Sequence, residues 1–129
     1  MMYVPIVAEE DIARAVAMTE ETMAAEGFSL IKRRMIATAV SELATNVYVH
    51  ATKGAVSIAV LGGTGGSGIE ITVEDQGPGI KDLEQAMVEG YSTAGSLGVG
   101  LPGARRLADE FSIHSKADKG TMVVVRAWV

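Results

Sequence analysis

Residues 68–80 read GIEITVEDQGPGI, and this stretch decides how the rest of the chain is interpreted. Ile69, Ile71 and Val73 alternate with polar residues, which is the period-two pattern of a half-buried β-strand. Asp75 follows at the end of the strand, before a tight Gly-Pro-Gly turn at 77–79. Glycines at such a turn let the backbone approach a flat ligand closely. Asp75 is therefore a candidate acceptor for an exocyclic amine, with an ordinary Asx-capped turn as the alternative.

The segments around this strand predict the order β-α-α-β-β-α-loop-α-β-β. Gly27 occupies the C-cap position of the first predicted helix, and Ser29 can cap the second. Runs of helices and hairpins without strict βα alternation indicate an α+β fold. We expect a two-layer α/β sandwich with one mixed, mostly antiparallel sheet that is covered by helices on one face. The predicted helices cover 9–26, 30–51, 82–89 and 102–110, and the predicted strands cover 2–7, 56–60, 69–73, 111–116 and 121–128.

Length and composition exclude several classes of protein. A chain of 129 residues predicts a single domain over 1–129. It has no cysteine, so disulfides, thiolate metal sites and a cysteine nucleophile are excluded. The net charge of −5 argues against a nucleic-acid partner, which requires excess Lys and Arg. No apolar run has the roughly 20 residues of a membrane span, and the N-terminus does not have the pattern of a signal peptide. We expect a cytoplasmic protein without a membrane partner.

The second predicted helix carries a candidate catalytic pair. Its apolar residues recur at three- and four-residue steps and form one core-facing stripe. Glu42 and Asn46 are four residues apart, so they project from one face, and they lie off that stripe. A carboxylate beside an amide oxygen suits a site that holds Mg²⁺ and an attacking hydroxyl. A solvated helix face is the alternative. The stripe consists of Ile36, Ala39, Val40, Leu43 and Val47.

Residues 90–103 form a glycine-rich segment that carries hydroxyl groups and opens a helix. The unpaired N–H groups and the positive dipole of a helix N-terminus suit phosphate oxygens. Arg105 and Arg106 follow one turn later and could add charge-assisted contacts, although a flexible linker is the alternative. Residues 98–103 also spell G-x-G-x-x-G, but no strand precedes them as a dinucleotide fingerprint requires.

Taken in order, these segments resemble the GHKL ATP-binding family, named for gyrase, Hsp90, histidine kinases and MutL. The E-x-x-x-N box corresponds to Glu42 and Asn46, and the D-x-G-x-G box to residues 75–79. The second glycine box corresponds to residues 98–101, and the late G-T box to residues 120–121. The resemblance covers about 41–121 and implies the Bergerat fold of that family.

The resemblance also implies residue roles. Asp75 would bind the adenine amino group, with Thr121 nearby through water. Asn46 would coordinate Mg²⁺, and Glu42 would be the general base toward the acceptor hydroxyl. The segment from Ser92 to the start of the next helix would bind the phosphates of ATP. The implied nucleotide-binding residues are Asn46, Asp75, Gly77, Gly79, Ser92, Thr93, Gly95, Gly98, Val99, Gly100, Leu101, Arg105 and Thr121.

A free-standing domain of this kind is similar to the bacterial serine/threonine kinases related to anti-sigma factors. The strings at 41–44, 74–80 and 100–103 are most similar to the switch kinases of stressosomes. This implies ATP-dependent phosphorylation of STAS-domain scaffold or antagonist proteins, and activation of a PP2C-type phosphatase by binding. Thr45 departs from the basic residue that this subgroup often carries. The alternatives are an anti-sigma factor kinase that sequesters a sigma subunit, and a regulator that acts by binding alone.

Overall fold

The computed structural model describes residues 1–51, 53–62, 66–77, 100–116 and 120–129, with the backbone alone at 100–102 and 116. In these residues the helices are α1 (Glu10–Ala25), α2 (Leu30–His50) and α3 (Gly100–Leu107). The strands are β1 (Met2–Ile6), β2 (Gly54–Leu61), β3 (Gly68–Asp75), β4 (Glu110–Lys116) and β5 (Gly120–Trp128). The helix predicted over 82–89 lies outside the described residues.

The strands form one sheet in the order β1-β2-β3-β5-β4. The sequence predicted a mixed, mostly antiparallel sheet, and all four pairs of neighbouring strands are antiparallel. Strand β3 is central, because β2 pairs along one of its sides and β5 along the other. The last residue of β3, Asp75, therefore has Gly54 and Thr121 as its cross-strand neighbours.

The helices pack on one face of the sheet, as predicted. Helix α2 contacts β1, β2 and β3 and packs between α1 and α3. The five stripe residues of α2 are all buried, at 2% exposure or less. They meet the buried face of the sheet, where Val56, Ile58, Ile69, Ile71, Val73, Val123 and Val125 are directed inward. The α+β two-layer sandwich is confirmed.

Local chemistry sets the connection between α1 and α2. Gly27 adopts a φ of +86°, and the N–H groups of Gly27 and Phe28 donate to the carbonyls of Ala24 and Met23. This is the pattern of a Schellman motif, completed by the burial of Met23 and Phe28. The Ser29 hydroxyl then accepts the Lys32 N–H at 3.1 Å and caps α2. Both predicted caps are present.

Strand β1 is at an edge of the sheet, which is where a strand tolerates a proline such as Pro5. The turn from β1 into α1 is held by Asp11, whose Oδ2 accepts the N–H groups of Val7 at 3.0 Å and Ala8 at 2.9 Å. Its Oδ1 accepts the Arg14 guanidinium at 2.7 Å. The two backbone hydrogen bonds, with a smaller contribution from Arg14, lower the pKa of Asp11 below its usual 3.8.

At the opposite end of β3 from Asp75, the chain terminus is fastened to the helix layer. Lys32 of α2 donates to the Trp128 carbonyl at 2.6 Å and pairs with Asp109 at 2.9 Å. Asp109 also accepts the Trp128 N–H at 2.8 Å. The indole lies across β5, since one edge contacts Gly68 and its Nε1–H donates to Glu110 at 2.8 Å. We call this group of Lys32, Asp109, Glu110 and Trp128 the terminal clasp.

Candidate active site

The site is built around the end of β3. Asp75 follows the buried residues Ile71 and Val73 at two-residue steps, so its side chain projects to the helix-covered side of the sheet. It is half-buried, and its Oδ1 accepts the Gly77 N–H at 2.9 Å in an Asx turn. A carboxylate is thereby fixed at a strand end, on the helix-covered side of the sheet.

Close contact with the end of α2 requires glycine at position 77. A Cβ on Gly77 would lie 2.8 Å from the Cβ of Ala51 and 3.2 Å from Asp75 Oδ1. Such a side chain would push apart the helix end and the strand end. The Gln76 N–H also donates to the Lys53 carbonyl at 3.2 Å, which ties the same two segments together. The C-terminal end of α2 therefore lies beside Asp75.

The first residues of β5 form the other side of the site. Gly120 has a φ of +88°, and a Cβ there would clash with the Asp75 carbonyl oxygen. Thr121, the cross-strand partner of Asp75, shares a 2.8 Å hydrogen bond between its hydroxyl and that of Ser115. The Ser115 hydroxyl also donates to the Gly120 carbonyl at 3.2 Å. Asp75, Thr121 and Ser115 thus lie side by side on three neighbouring strands.

Ser115 lies at the site although no motif in the sequence marks it. The pairing of β4 with β5 places Ser115 directly opposite Thr121, and this pairing is the feature that could have identified it. A residue that is five or six positions from its partner in sequence is brought to the site by strand pairing alone. Serine in a strand with no motif around it gives no local indication of such a role.

The orientation of α2 and α3 places Asn46 at this end of the molecule. Lys32, which contacts Asp109 just after α3, is 14 residues before Asn46, so both lie on nearly the same side of α2. Helix α3 ends at Leu107, next to Asp109, so its start at Gly100 lies toward the C-terminal half of α2. Asn46 is therefore on the side of α2 that meets the beginning of α3.

Glu42 is one turn before Asn46 on the same helix. Both side chains are half-buried, whereas Leu43 and Val47 next to them are buried in the core. The predicted separation of this pair from the apolar stripe is thus present. Asp75 lies at the C-terminal end of α2, beside Ala51, and Asn46 and Glu42 are five and nine residues before Ala51 in the chain.

The phosphate-binding part of the predicted site is described in part. Helix α3 begins at Gly100, and Arg105 is exposed on it. The predicted end of this helix near residue 110 was too late. The chain leaves the helix at Leu107 because the Asp109 N–H donates to the Arg126 carbonyl of β5 at 3.0 Å.

Six predicted site residues lie outside the described residues: Gly79, Ser92, Thr93, Gly95, Gly98 and Val99. The side chain of Leu101 does too.

Among the described residues, no group of three or more His, Cys, Asp or Glu side chains is placed to hold a metal ion. A magnesium ion at Asn46 would therefore depend on phosphate oxygens and water for its remaining ligands, which is the usual arrangement for this ion. In the described part of the chain, no helix is long and apolar enough to cross a membrane.

Known proteins are similar in sequence to most of the chain. The model of the histidine kinase-like ATPase domain matches residues 7–127. The serine/threonine-protein kinase RsbT of Bacillus subtilis is 43% identical over 126 residues, covering 98% of this chain and 95% of that protein. The anti-sigma F factor of Thermoanaerobacter sp. strain X514 is 33% identical over 98 residues, covering 73% of this chain and 68% of the relative.

Solved structures share the fold at low sequence identity. The RsbU and RsbW domains of Rv1364c from Mycobacterium tuberculosis align over 99% of this chain and 32% of that one, with a TM-score of 0.67 and 18% identity. The catalytic domain of the histidine kinase ThkA aligns over 99% of this chain and 98% of that one, with a TM-score of 0.58 and 13% identity.

The chain belongs to the histidine kinase-like ATPase domain family. Within it, the similarity to RsbT over nearly the whole length confirms the resemblance to switch kinases and the expectation of an ATP-dependent serine/threonine protein kinase. ATP as the nucleotide follows from the same matches.

Proposed function

We propose that the chain transfers the γ-phosphate of ATP to a serine or threonine hydroxyl of a STAS-domain protein in the cytoplasm. We propose further that, in a second state, it binds and activates a PP2C-type phosphatase. One observation carries the proposal. The carboxylate of Asp75 at the end of β3 lies beside the end of α2, the helix that bears Glu42 and Asn46.

The adenine end of the nucleotide fits the strand end. The Asp75 carboxylate accepts hydrogen bonds, which suits the exocyclic amine of adenine, and the Thr121 hydroxyl is its cross-strand neighbour. Glycine at position 77 lets Ala51, at the end of α2, pack close to the Asp75 carboxylate, so an apolar side chain lies beside the position proposed for the ring. A guanine ring would instead direct its carbonyl oxygen at Asp75.

The phosphates would lie between α2 and the start of α3. The first N–H groups of α3 lack partners within the helix and favour anionic oxygens, and Arg105 adds positive charge one turn later. Asn46 would hold Mg²⁺ through its amide oxygen, with the phosphates completing the coordination. Bound Mg²⁺ neutralises charge on the phosphate oxygens. The remaining contribution of the chain is to position the nucleotide.

Glu42 would remove the proton from the acceptor. The acceptor hydroxyl oxygen attacks the γ-phosphorus, its proton passes to the Glu42 carboxylate, and ADP leaves with the electrons of the broken P–O bond. The position of Glu42 supports this role, because it is half-buried on the outward side of α2, one turn from Asn46. An incoming protein can approach it from solvent.

A transfer assay tests the proposal directly. Purified chain is incubated with γ-labelled ATP and a STAS-domain protein, and label on serine or threonine is measured. The Glu42→Gln variant should retain ATP affinity but transfer phosphate about 10²–10⁴-fold more slowly, the usual contribution of a general base. No label from the wild-type chain would reject the kinase proposal. A Glu42→Gln rate within tenfold of the wild type would reject the role of Glu42.

The similarity to anti-sigma F factors supports a second candidate function. Relatives with that name are 33–35% identical over 95–98 residues of this chain. An anti-sigma factor would bind a sigma subunit directly and phosphorylate its antagonist. Co-purification from cell lysate distinguishes the two candidates. A sigma subunit on the tagged chain supports the anti-sigma function, and STAS proteins with a phosphatase support the switch kinase.

A further inference from the structure

The outward face of α2 has an unusual composition for a surface helix. Its residues recur at alternating steps of four and three, so they form one line along the helix. Glu42 is the one charged residue in this line, whereas the solvent face of a surface helix usually carries many charges. We call these residues the outer stripe: Ile31, Met35, Thr38, Glu42, Thr45 and Val49.

The ends of the outer stripe are large apolar side chains in solvent. Ile31 is 75% exposed and Val49 is 54% exposed. On α1, by contrast, the exposed positions carry alanine or charged residues such as Arg14 and Glu21. Thr38, Glu42 and Thr45 lie between these apolar ends, and the opposite face of α2 is buried in the core.

We propose that the outer stripe is the docking surface for the protein that receives the phosphate. This inference rests on the proposed function. Glu42 lies in the middle of the stripe, so a hydroxyl that gives its proton to Glu42 must belong to a molecule that covers the stripe. The partner would present an apolar surface around its acceptor serine or threonine.

The dimensions of the stripe agree with this partner. At 1.5 Å per residue, Ile31 is about 17 Å and Val49 about 11 Å from Glu42 along the helix axis. A standard protein interface buries about 800 Å² on each partner, which corresponds to a disc with a radius of about 16 Å. A protein centred on Glu42 therefore covers Val49 fully and has Ile31 at its rim.

The test compares two double variants that remove exposed apolar side chains of similar size. Ile31→Ser with Val49→Ser alters the stripe, and Val7→Ser with Val60→Ser is the control away from it. Val7 is 64% exposed and Val60 is 47% exposed. Binding of the STAS-domain protein and its phosphorylation are measured separately, with ATP affinity as a check on the nucleotide site.

The stripe variant should raise both the Kd and the KM for the STAS-domain protein at least tenfold, with kcat and ATP affinity unchanged. The control should match the wild type. Equal effects in the two variants, or no effect in the stripe variant, would overturn the inference. If the stripe variant melts at a lower temperature than the control, Val49→Thr decides the matter, because it preserves the shape of the side chain.

The assay also separates this inference from the proposed function. Stripe-dependent binding without any phosphate transfer by the wild type would reject the kinase function and the acceptor role of the partner. Transfer that the stripe variant leaves intact would support the kinase and reject the docking surface. Self-association that the stripe variant abolishes, with STAS binding unchanged, would assign the stripe to a second copy of the chain and overturn the inference.

Discussion

Asp75 and Glu74 are neighbours in the sequence, yet their side chains project to opposite faces of the sheet. The Asp75 carboxylate faces the helices and bonds to Gly77, whereas Glu74 is exposed on the uncovered face. This pair provides a test with an internal control, because the two substitutions remove the same charge from adjacent positions.

Asp75→Asn should weaken ATP binding by about 1.5–3 kcal/mol, the usual value of a hydrogen bond to a charged group. That corresponds to roughly 10–150-fold in Kd, measured by isothermal titration calorimetry. Glu74→Gln should bind ATP like the wild type. Unchanged affinity in Asp75→Asn, or an equal loss in both variants, would remove the adenine assignment.

Two glycines with opposite surroundings give a stability test. Gly120→Ala should lower the free energy of unfolding by more than about 1 kcal/mol, because it forces a side chain to a φ of +88° and against the Asp75 carbonyl. Gly103, in the interior of α3, has no atom within 4 Å of an added Cβ. Gly103→Ala should therefore raise stability by about 0.4–1 kcal/mol. Urea denaturation measures both, and equal signs would contradict the prediction.

At the scale of elements, the sequence predicted the helix ends that are determined by local contacts. Gly27 and Ser29 act within a few residues of themselves, through a Schellman motif and an N-cap. The end of α3 was misplaced because the contacts that terminate it, from Asp109 to Arg126 and Trp128, join segments 17 to 19 residues apart. The sequence around Leu107 contains no pattern that indicates those contacts.

Asp11 gives the β1–α1 connection a pH dependence. Its lowered pKa means that folding favours the ionised carboxylate, so its stabilising contribution is complete above the usual pKa of 3.8. The contribution is lost as the pH falls through the lower pKa of the folded state. Asp11→Ala should reduce the melting temperature at pH 7, and the difference from the wild type should shrink below pH 4. Circular dichroism melts measure this effect.

Glu10→Ala is the matched control for Asp11→Ala. Both residues are acidic and lie in the first turn of α1, but Glu10 is exposed. Its substitution should leave the melting temperature nearly unchanged at both pH values. A difference between Asp11→Ala and the wild type that persists at pH 2 would show that the carboxylate charge is not the cause.

At the scale of the whole molecule, the sequence predicted the elements, the layer arrangement and the single-sided helix cover. It did not specify that β3 pairs with β5 rather than with β4. That choice depends on which buried faces meet, and β-branched residues occur in both candidate strands. The same pairing brings Ser115 to the site through Thr121. Strand order and the residues that depend on it therefore required the structure.

The terminal clasp joins the end of β5 to α2 and to the segment after α3, and it should be sensitive to salt. Lys32 and Asp109 are partly exposed, at 31% and 38%, so the pair contributes at most about 1 kcal/mol. Asp109→Asn should lower the free energy of unfolding by about that amount at low ionic strength, and by less in 1 M salt. Glu20→Gln breaks the longer 3.5 Å contact with Arg34 and should have no measurable effect. Urea titrations at two salt concentrations test both.

The indole of the terminal clasp belongs to the chain's one tryptophan, Trp128. It lies near the start of β3, and Asp75 is seven residues along that strand, a separation of roughly 23 Å at 3.3 Å per residue. Tryptophan fluorescence should therefore report on whether the chain is folded, and we expect it not to change when a nucleotide binds at the proposed site beside Asp75. The fluorescence of Trp128 can thus be used to monitor unfolding during a nucleotide titration, because nucleotide binding itself should not change it.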